Sequence, residues 1–215
     1  MPVTPIYIYL FLLALSFAIS MIRFKKIDKA SKFICLLLGL TLLSETIGYI
    51  VAVRFRNNMP VYHFFNPLEL LIISLYFNES VKTFHRKSIG IYVGILGLIV
   101  GAINTVFIQP LHTLNSYFLS LEGFCIICMS LFSFLAMFDD EQMVIIKNPH
   151  FWFSAIFLFN SGITYTFWAL YPIASIKMTN VILSLSNMLI IISAIAYTGF
   201  GLTFLLLPQK KQNGL

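Results

Sequence analysis

Seven apolar runs alternate with short polar segments along the whole chain. A helix that crosses a bilayer core of roughly 30 Å needs about 20 residues, and each run is close to that length or longer. The pattern therefore predicts an all-α, polytopic transmembrane helical bundle in one domain, residues 1–215. The seven predicted spans cover residues 5–22, 33–53, 61–81, 89–108, 114–138, 151–171 and 180–207.

Composition supports a membrane protein. Hydrophobic residues make up 59% of the chain and charged residues only 10%, which is too apolar for a soluble domain. The first run has no basic segment before it and no small-residue cleavage site, so we expect a retained span and not a signal peptide. The net charge of +6 comes from short loops, where basic residues orient the chain and contact lipid headgroups. We expect membrane lipid as a partner and no nucleic acid.

The basic residues divide unequally between the two sides of the predicted bundle. Only Arg54, Arg56 and Lys177 fall on one side. Cytoplasmic loops carry the excess of Lys and Arg, so the pattern predicts an outside N-terminus and a cytoplasmic C-terminus in a bacterial inner membrane. The eleven basic residues on the predicted cytoplasmic side are Arg23, Lys25, Lys26, Lys29, Lys32, Lys82, Arg86, Lys87, Lys147, Lys210 and Lys211.

Neither the cysteines nor the histidines form a metal-binding pattern. Cys125 and Cys128 lie in one apolar run without a second ligand pair or a basic neighbour, which is typical of small apolar packing residues. The histidines lie near span ends, with no His-x-x-x-His pair on one helix face. We therefore expect no metal, no cofactor and no disulfide. The remaining cysteine and the four histidines are Cys35, His63, His85, His112 and His150.

Three carboxylates lie inside the predicted spans, although all fourteen Lys and Arg residues lie outside them. Glu45, Glu69 and Glu122 each lie about eight residues from the outer end of a span, or roughly 12 Å at 1.5 Å per residue. An ionisable side chain in a membrane is costly and by default indicates a functional site. The shared depth predicts one level of glutamates that bind a ligand or titrate.

Other polar side chains fall on the same helix faces. Tyr62, Asn66 and Glu69 follow one another at spacings of four and three, and Thr41 precedes Glu45 by four. These spacings put side chains on one face of a helix. The pattern predicts a polar cavity open to the outside. Its expected accessory groups are Tyr62, His63, Asn66 and Asn187.

Two alternatives stay open at these positions. A buried glutamate can be protonated, because removal from water disfavours its charged form, and can then merely hydrogen-bond neighbouring helices. Asn66, Pro67 and Glu69 also match a helix start, with an N-cap, a proline at the first position and an acid three residues after the cap. The third helix then either begins at Asn66, with its N-terminus pointing into the cavity, or runs continuously from Val61 with Pro67 as a kink.

The fourth span carries two pairs of glycines at a spacing of four. They are Gly90 with Gly94 and Gly97 with Gly101. Small residues at this spacing let helices approach closely. We expect this span to pack tightly in the bundle or to form a dimer face.

The segment that opens the third span also carries a resemblance. With the seven-span layout, it resembles small, uncharacterised seven-helix membrane proteins of Bacteroidota-like bacteria, which have a Tyr-His pair followed by Pro-x-Glu here. Tyr62, His63, Pro67 and Glu69 match that motif. The resemblance implies the membrane fold and no particular activity. The layout is also similar to SWEET and PQ-loop transporters, but their Pro-Gln helix signature is absent, and the last span has no central lysine for a retinal Schiff base.

These features favour a protein that is not an enzyme. The leading hypothesis is a sensor or receptor-like subunit for a small ligand, cation or protons, which signals through a separate cytoplasmic protein because the chain has no signalling domain of its own. The alternative is a small proton- or cation-coupled transporter, although the inner half of the predicted bundle has few polar residues. A third hypothesis is an intramembrane lipid hydrolase with carboxylates as general acid and base, but no nucleophile or metal site accompanies them.

Overall fold

The computed structural model describes the backbone of residues 3–139, 144–177 and 179–206, and the side chains of 6–139, 144–171 and 187–206. Within these residues the structure is helical and has no strand. A π-helical segment, Asn104–Ile108, extends α5, and a 3-10 turn, Ile145–Lys147, precedes α7. The α-helices are α1 (Val3–Arg23), α2 (Lys29–Phe55), α3 (Met59–Ser80), α4 (Lys82–Lys87), α5 (Ile89–Ile103), α6 (Ser116–Phe138), α7 (Pro149–Lys177) and α8 (Thr179–Leu206).

Six of these helices are long and apolar enough to cross a membrane, namely α1, α2, α5 with its extension, α6, α7 and α8. This is the pattern of a multi-pass membrane protein. The six do not include α3, although its 22 residues give it a length of about 33 Å. Its composition is the reason, because His63, Asn66, Glu69 and Asn78 interrupt its apolar residues.

Each of the seven predicted spans corresponds to a helix, and several helices run past the predicted ends. The span predicted at 33–53 is part of a helix that begins at Lys29, and the one predicted at 151–171 continues to Lys177. The sequence boundaries were drawn at polar residues. A helix needs only its backbone hydrogen bonds to continue, so polar first and last turns extend it into the headgroup region.

The second helix starts after a residue whose side chain caps it. The Asp28 carboxylate accepts hydrogen bonds from the backbone N–H groups of Ala30 and Ser31 at 3.1 and 3.3 Å. These contacts satisfy two of the donors that a helix start leaves free. At the other end of α2, Arg56 adopts the left-handed conformation with φ of 57° and ends the helix.

The third helix is continuous from Met59 to Ser80, with Pro67 inside it. The hypothesis that this helix begins at Asn66 is therefore wrong, and the continuous alternative is the one observed. Proline has no N–H to donate to the carbonyl four residues earlier and its ring needs space. That space comes from Gly101 on α5, where a Cβ would lie only 2.4 Å from the Pro67 Cγ.

The long helices form a closed ring of six with one helix outside it. Around the ring, α1 packs on α2, α2 on α3, α3 on α6, α6 on α7, α7 on α8 and α8 on α1. The helix outside the ring is α5, which packs mainly on α3. In this ring α3 contacts helices on both sides and α5 behind it. The most polar of the long helices is thus also shielded by protein on three sides.

The glycines of α5 face α3. All four, Gly90, Gly94, Gly97 and Gly101, are buried, and a Cβ at Gly90 would lie 2.2 Å from the Ser74 carbonyl oxygen. Of the two expectations for these glycines, tight packing within the bundle is the one that the structure bears out.

Candidate functional site

The three glutamates lie on three neighbouring helices of the ring. Glu45 is ten residues from the end of α2 at Phe55, Glu69 is ten residues into α3 and Glu122 is six residues into α6. At 1.5 Å per residue these depths are about 15, 15 and 9 Å. All three helix ends belong to the end of the bundle that holds the α2–α3 connection. We call this the far end, and we call the end with the α1–α2 connection and α4 the basic end.

Glu45 contacts tyrosines from two directions. The Tyr62 hydroxyl on α3 donates a hydrogen bond to Glu45 Oε2 at 3.2 Å, and the Tyr9 side chain on α1 lies near the same carboxylate. One turn along α2, a Cβ at Gly48 would lie 3.3 Å from the Tyr62 hydroxyl oxygen. The polar faces predicted for α2 and α3 therefore face each other, as their spacings indicated.

Glu69 lies within electrostatic range of both other carboxylates. Glu45 is on one side of it and Glu122 is on the other. Glu122 is only 5% exposed, and its Oε1 atom is buried without a hydrogen-bond partner in the described structure. A buried acceptor without a donor is costly, so Glu122 has an open position for a proton or for a donor from a ligand.

Two tyrosines complete the group from the opposite side of the ring. Tyr197 on α8 lies near Thr41 and Tyr9, and it is within electrostatic range of Glu69 and Glu45. The Tyr9 and Tyr197 rings are 5.8 Å apart between centroids. Five of the six ring helices thus contribute to one polar region. We call it the glutamate layer, and it comprises Glu45, Glu69, Glu122, Tyr9, Tyr62 and Tyr197.

The chemistry of the glutamate layer favours protons or a cation larger than a metal ion. Among the described residues, no group of three His, Cys, Asp or Glu side chains is arranged to hold a metal ion. The carboxylates are near enough to influence one another's charge, and like charges in a poorly solvated site disfavour simultaneous ionisation. Tyrosine rings beside carboxylates also provide faces for a cationic ligand. The arrangement can therefore exchange protons or bind a polyatomic cation.

His63 and Asn66 lie in a separate network between α3, α5 and the start of α6. The His63 ring nitrogens lie 2.9 Å from Thr105 Oγ1 and 2.9 Å from the Thr113 carbonyl oxygen. Asn66 donates from its amide nitrogen to Asn115 Oδ1 at 3.2 Å. Both side chains are buried. In the structure they hold the connection before α6 against α3, and the hydrogen bonds described for them go to this connection and to α5, not to the glutamates to which the sequence assigned them as accessory groups.

Asn187 lies on the same face of α8 as Tyr197. The face runs through Ile190, Ala194 and Tyr197 at spacings of three and four, and these three side chains pack against the core. Asn187 is half-buried and ten residues before Tyr197, which is about 15 Å along the helix. It therefore lies towards the far end from the glutamate layer and not within it.

The half of the ring nearer the basic end is filled by aromatic side chains. Tyr76 on α3 lies 5.7 Å from Phe157 and 6.0 Å from Phe153 on α7, between ring centroids. The rings therefore meet across the interior. Each of these side chains is at most 4% exposed. We call this the aromatic layer, and it comprises Tyr76, Phe77, Phe153, Phe157, Phe200 and Phe204.

Two successive polar contacts connect the aromatic layer to the basic end. The Tyr76 hydroxyl lies 3.4 Å from His150 Nδ1, and His150 Nε2 lies 3.4 Å from Asp28 Oδ2. Partial burial raises the pKa of Asp28, but hydrogen bonds with His150 and Ser31 outweigh burial and hold this pKa well below its ordinary value. The α1–α2 connection is thereby tied to α7 and, through Tyr76, to α3.

Two members of the glutamate layer, Tyr9 and Tyr197, were not among the residues selected from the sequence. Tyrosines in membrane proteins are commonly interfacial, so these two were not considered as residues of an interior site. The available signal was depth, because Tyr197 lies nine residues from the end of α8 at Leu206, well inside a span. Depth alone could not show that α1 and α8 would be neighbours in the ring.

Comparison with known proteins yields no relative: no family model matches the chain, and neither does any curated protein or solved structure.

Proposed function

We propose that the chain is a sensor or receptor-like subunit of the bacterial inner membrane that binds protons or a small organic cation at the glutamate layer. The observation that carries this proposal is the convergence of three carboxylates from α2, α3 and α6 with tyrosines from α1 and α8. Carboxylates inside a membrane are costly and tend to mark ion, proton or ligand sites. A purely structural role needs no such convergence from five helices.

The proposed topology has seven spans, with α3 crossing the membrane inside the protein. A polar helix is tolerated at membrane depth where it is buried in protein or lines a cavity, and α3 is packed against α2, α5 and α6. The N-terminus is outside and the C-terminus cytoplasmic, because most basic residues belong to the basic end. The glutamate layer then lies in the outer half of the membrane.

The aromatic layer favours sensing over transport. It lies about 10 Å beyond Glu69 along α3, seven residues away at Tyr76, and its members are at most 4% exposed. A ligand that reaches the glutamate layer from outside meets this filled interior and can leave only the way it came. Its binding would instead shift the helices, and the basic end would pass the change to a separate cytoplasmic protein.

Thermal unfolding of the purified protein tests ligand binding directly. A ligand present at 100 times its Kd stabilises the native state by about 2.7 kcal/mol. The probes are pH between 5 and 9 and tetramethylammonium, with sodium and potassium as metal-ion controls that should give no shift, applied to wild type and to Glu45→Gln, Glu69→Gln and Glu122→Gln. We expect one probe to raise the melting temperature of wild type, with loss of the shift in all three variants.

The matched control is Glu79→Gln, which removes a carboxylate at the basic end that pairs with Lys29 at 3.0 Å. It should keep the wild-type response. A response that survives in the three glutamate-layer variants, or that disappears equally in Glu79→Gln, would show that the glutamate layer is not the binding site.

Access from outside is tested by cysteine labelling. In a variant without the three native cysteines, a membrane-impermeant reagent should modify cysteines placed at Glu69 and Glu122, and one placed at Asn58 as a positive control. Reaction at Asn58 alone would contradict an outward-facing cavity. A C-terminal reporter fusion that is active only outside the cytoplasm would contradict the proposed orientation.

A second candidate is a proton-coupled transporter, which the Tyr76–His150–Asp28 contacts favour. Hydroxyl, imidazole and carboxylate groups in series can relay protons through the aromatic layer where a larger ligand cannot pass. Proteoliposomes loaded with a pH-sensitive dye would show flux under an applied pH gradient. Flux that falls in Tyr76→Phe and in Glu69→Gln would favour transport over sensing.

A further inference from the structure

An apolar groove runs along the outside of the ring between α1 and α2. Its volume is about 690 Å³, within the range of small-ligand sites. Phe17, Cys35 and Gly39 form its floor. A Cβ at Gly39 would lie 2.8 Å from Phe17 Cε2, so the Phe17 ring of α1 lies directly against α2 at the floor. The groove therefore opens away from the ring interior.

The rim of this groove is apolar and exposed. Met21, Leu36 and Leu43 are 50%, 53% and 55% exposed. In a membrane-spanning bundle such side chains face acyl chains. The groove is thus continuous with the lipid and separate from the glutamate layer.

Two lysines line the groove at its basic end. Lys29 and Lys32 are three residues apart, which places them on one side of the first turn of α2. Lys29 Nζ lies 3.0 Å from Glu79 Oε1 but the Lys29 side chain is 70% exposed, and Lys32 Nζ lies 5.4 Å from the centre of the Phe24 ring. The mouth of an otherwise apolar groove therefore carries an exposed lysine, Lys29, and a half-buried one, Lys32.

The length of the groove fits one leaflet. Leu43 follows Lys29 by fourteen positions along α2, which is about 21 Å at 1.5 Å per residue. A bilayer with its headgroup regions is about 40–45 Å thick, so one leaflet is about 20–22 Å. A lipid with its phosphate between the lysines would place one acyl chain along the whole groove.

We propose that the groove between α1 and α2 is a binding site for one anionic phospholipid, with its phosphate at Lys29 and Lys32 and an acyl chain against Phe17, Gly39 and Leu43. The apolar floor distinguishes this site from one for a soluble phosphate, and the paired lysines distinguish it from a groove that takes any lipid. The site is independent of the ligand proposed for the glutamate layer.

Native mass spectrometry of the detergent-purified protein with equal amounts of phosphatidylglycerol and phosphatidylethanolamine tests the charge requirement. We expect one phosphatidylglycerol to bind more tightly than phosphatidylethanolamine. Each basic side chain near an anionic headgroup contributes roughly fivefold in affinity, so Lys29→Gln with Lys32→Gln should weaken that first binding by about 25-fold. Lys82→Gln with Lys87→Gln removes the same charge from exposed positions on α4 and should change it by less than about twofold. Equal loss in both double variants, or no preference in wild type, would overturn the proposal.

A second arm tests the apolar part. Leu36→Trp should obstruct the groove and weaken phosphatidylglycerol binding, whereas Leu135→Trp, at a 60% exposed position on α6, should not. Glycerol 3-phosphate, which has no acyl chain, should not compete. Competition by glycerol 3-phosphate at concentrations equal to those of the lipid would show that the lysines bind a free phosphate and that the groove is not a lipid site.

Discussion

The two layers inside the ring comprise six side chains each, and they differ in how well the protein satisfies those side chains. The aromatic layer joins α3, α7 and α8 through ring contacts between 4.9 and 6.0 Å, and all of its members except Tyr76 are phenylalanines, which need no hydrogen-bond partner. The glutamate layer joins α1, α2, α3, α6 and α8, and it holds a carboxylate oxygen on Glu122 without a hydrogen bond.

The aromatic layer is therefore suited to stabilising the bundle, and the glutamate layer is suited to the proposed binding of protons or a ligand. Close packing is the main source of helix association in a membrane, because apolar side chains gain nothing there by leaving water. The aromatic layer supplies that packing. The glutamate layer holds a buried Glu122 oxygen without a hydrogen-bond partner, and in our proposal its free energy depends on protons or on a ligand. Substitutions in the two layers should therefore affect different measurements.

The largest effect is expected from Phe153→Ala. The Phe153 ring is fully buried and contacts Tyr76, Phe200 and Phe204, so its removal leaves a cavity at the centre of the aromatic layer. We expect a loss of about 3 kcal/mol in the free energy of unfolding, measured by denaturant titration in detergent. Phe159→Ala on the same helix, at a 51% exposed position, should cost less than about 0.5 kcal/mol.

Separate roles for the two layers would be contradicted if Phe153→Ala also abolished the response to the probe that stabilises wild type. Packing and binding would then be one property of the whole ring interior. Retention of the response at lower overall stability is the outcome that keeps the two layers distinct.

A smaller loss is expected where α5 meets α3. In Gly90→Ala the new methyl group would overlap the Ser74 carbonyl oxygen, and such overpacking costs about 1–3 kcal/mol. Since α5 lies outside the ring, the ligand response of the glutamate layer should survive. Gly162→Ala on α7 is the control, because a Cβ there meets no atom within 4 Å and alanine should stabilise the helix by up to about 1 kcal/mol. An equal loss in both variants would mean that helix content, and not the α3–α5 contact, is being measured.

The next effect concerns the tie between the aromatic layer and the basic end. Asp28→Ala removes the N-cap of α2 and the His150 contact and should cost about 1 kcal/mol, whereas Asp28→Asn keeps a capping oxygen and loses only the charge. The folded protein holds the pKa of Asp28 below its ordinary value, which is about 3.9. Its charge therefore contributes stability that is complete above that value and is lost as the pH falls below it.

Unfolding measured between pH 3 and pH 7 checks this dependence. The stability difference between wild type and Asp28→Asn should be constant above about pH 5 and should shrink towards pH 3. A difference that stays constant down to pH 3 would contradict the lowered pKa of the Asp28 carboxylate.

The smallest effect is expected from Tyr62→Phe, within the glutamate layer. The variant loses the hydrogen bond to Glu45 Oε2 at 3.2 Å, and hydrogen bonds between membrane helices contribute on average about 0.6 kcal/mol. Stability should therefore change little, while the pH or ligand response of the layer should shift. Tyr92→Phe, at a 63% exposed position on α5, should change neither. A stability loss as large as that of Phe153→Ala would show that the glutamate layer is structural.

Helical periodicity and residue type were sufficient to locate the helices and part of the site. The seven spans were marked by apolar runs, and Thr41 and Glu45 were placed on one face of α2 by their spacing. Those inferences depend only on contacts within one helix. The start of α3 could not be chosen in the same way, because Asn66, Pro67 and Glu69 suit both a helix start and a helix interior next to a gap.

The errors and omissions have a common physical origin. His63 is adjacent to Tyr62 and Asn66 is three residues before Glu69, so spacing along α3 could not show that their partners lie on α5 and in the connection before α6. Those partners depend on how closely the glycines of α5 let it lie against Pro67, Leu70 and Ser74. Tyr9 and Tyr197 entered the site only because α1 and α8 close the ring.

The sequence by itself determined that the chain is helical and apolar enough for a multi-pass membrane protein, that its basic residues belong mainly to one end, and that three carboxylates lie within apolar helices. These properties follow from composition and from the 3.6-residue period of a single helix. Only the tertiary structure decided which helices are neighbours, which side of α3 faces the ring interior, and that an aromatic layer fills the interior beyond the carboxylates. Such features depend on contacts between residues far apart in the chain, and the close packing that selects among them leaves no periodic signal in any one segment.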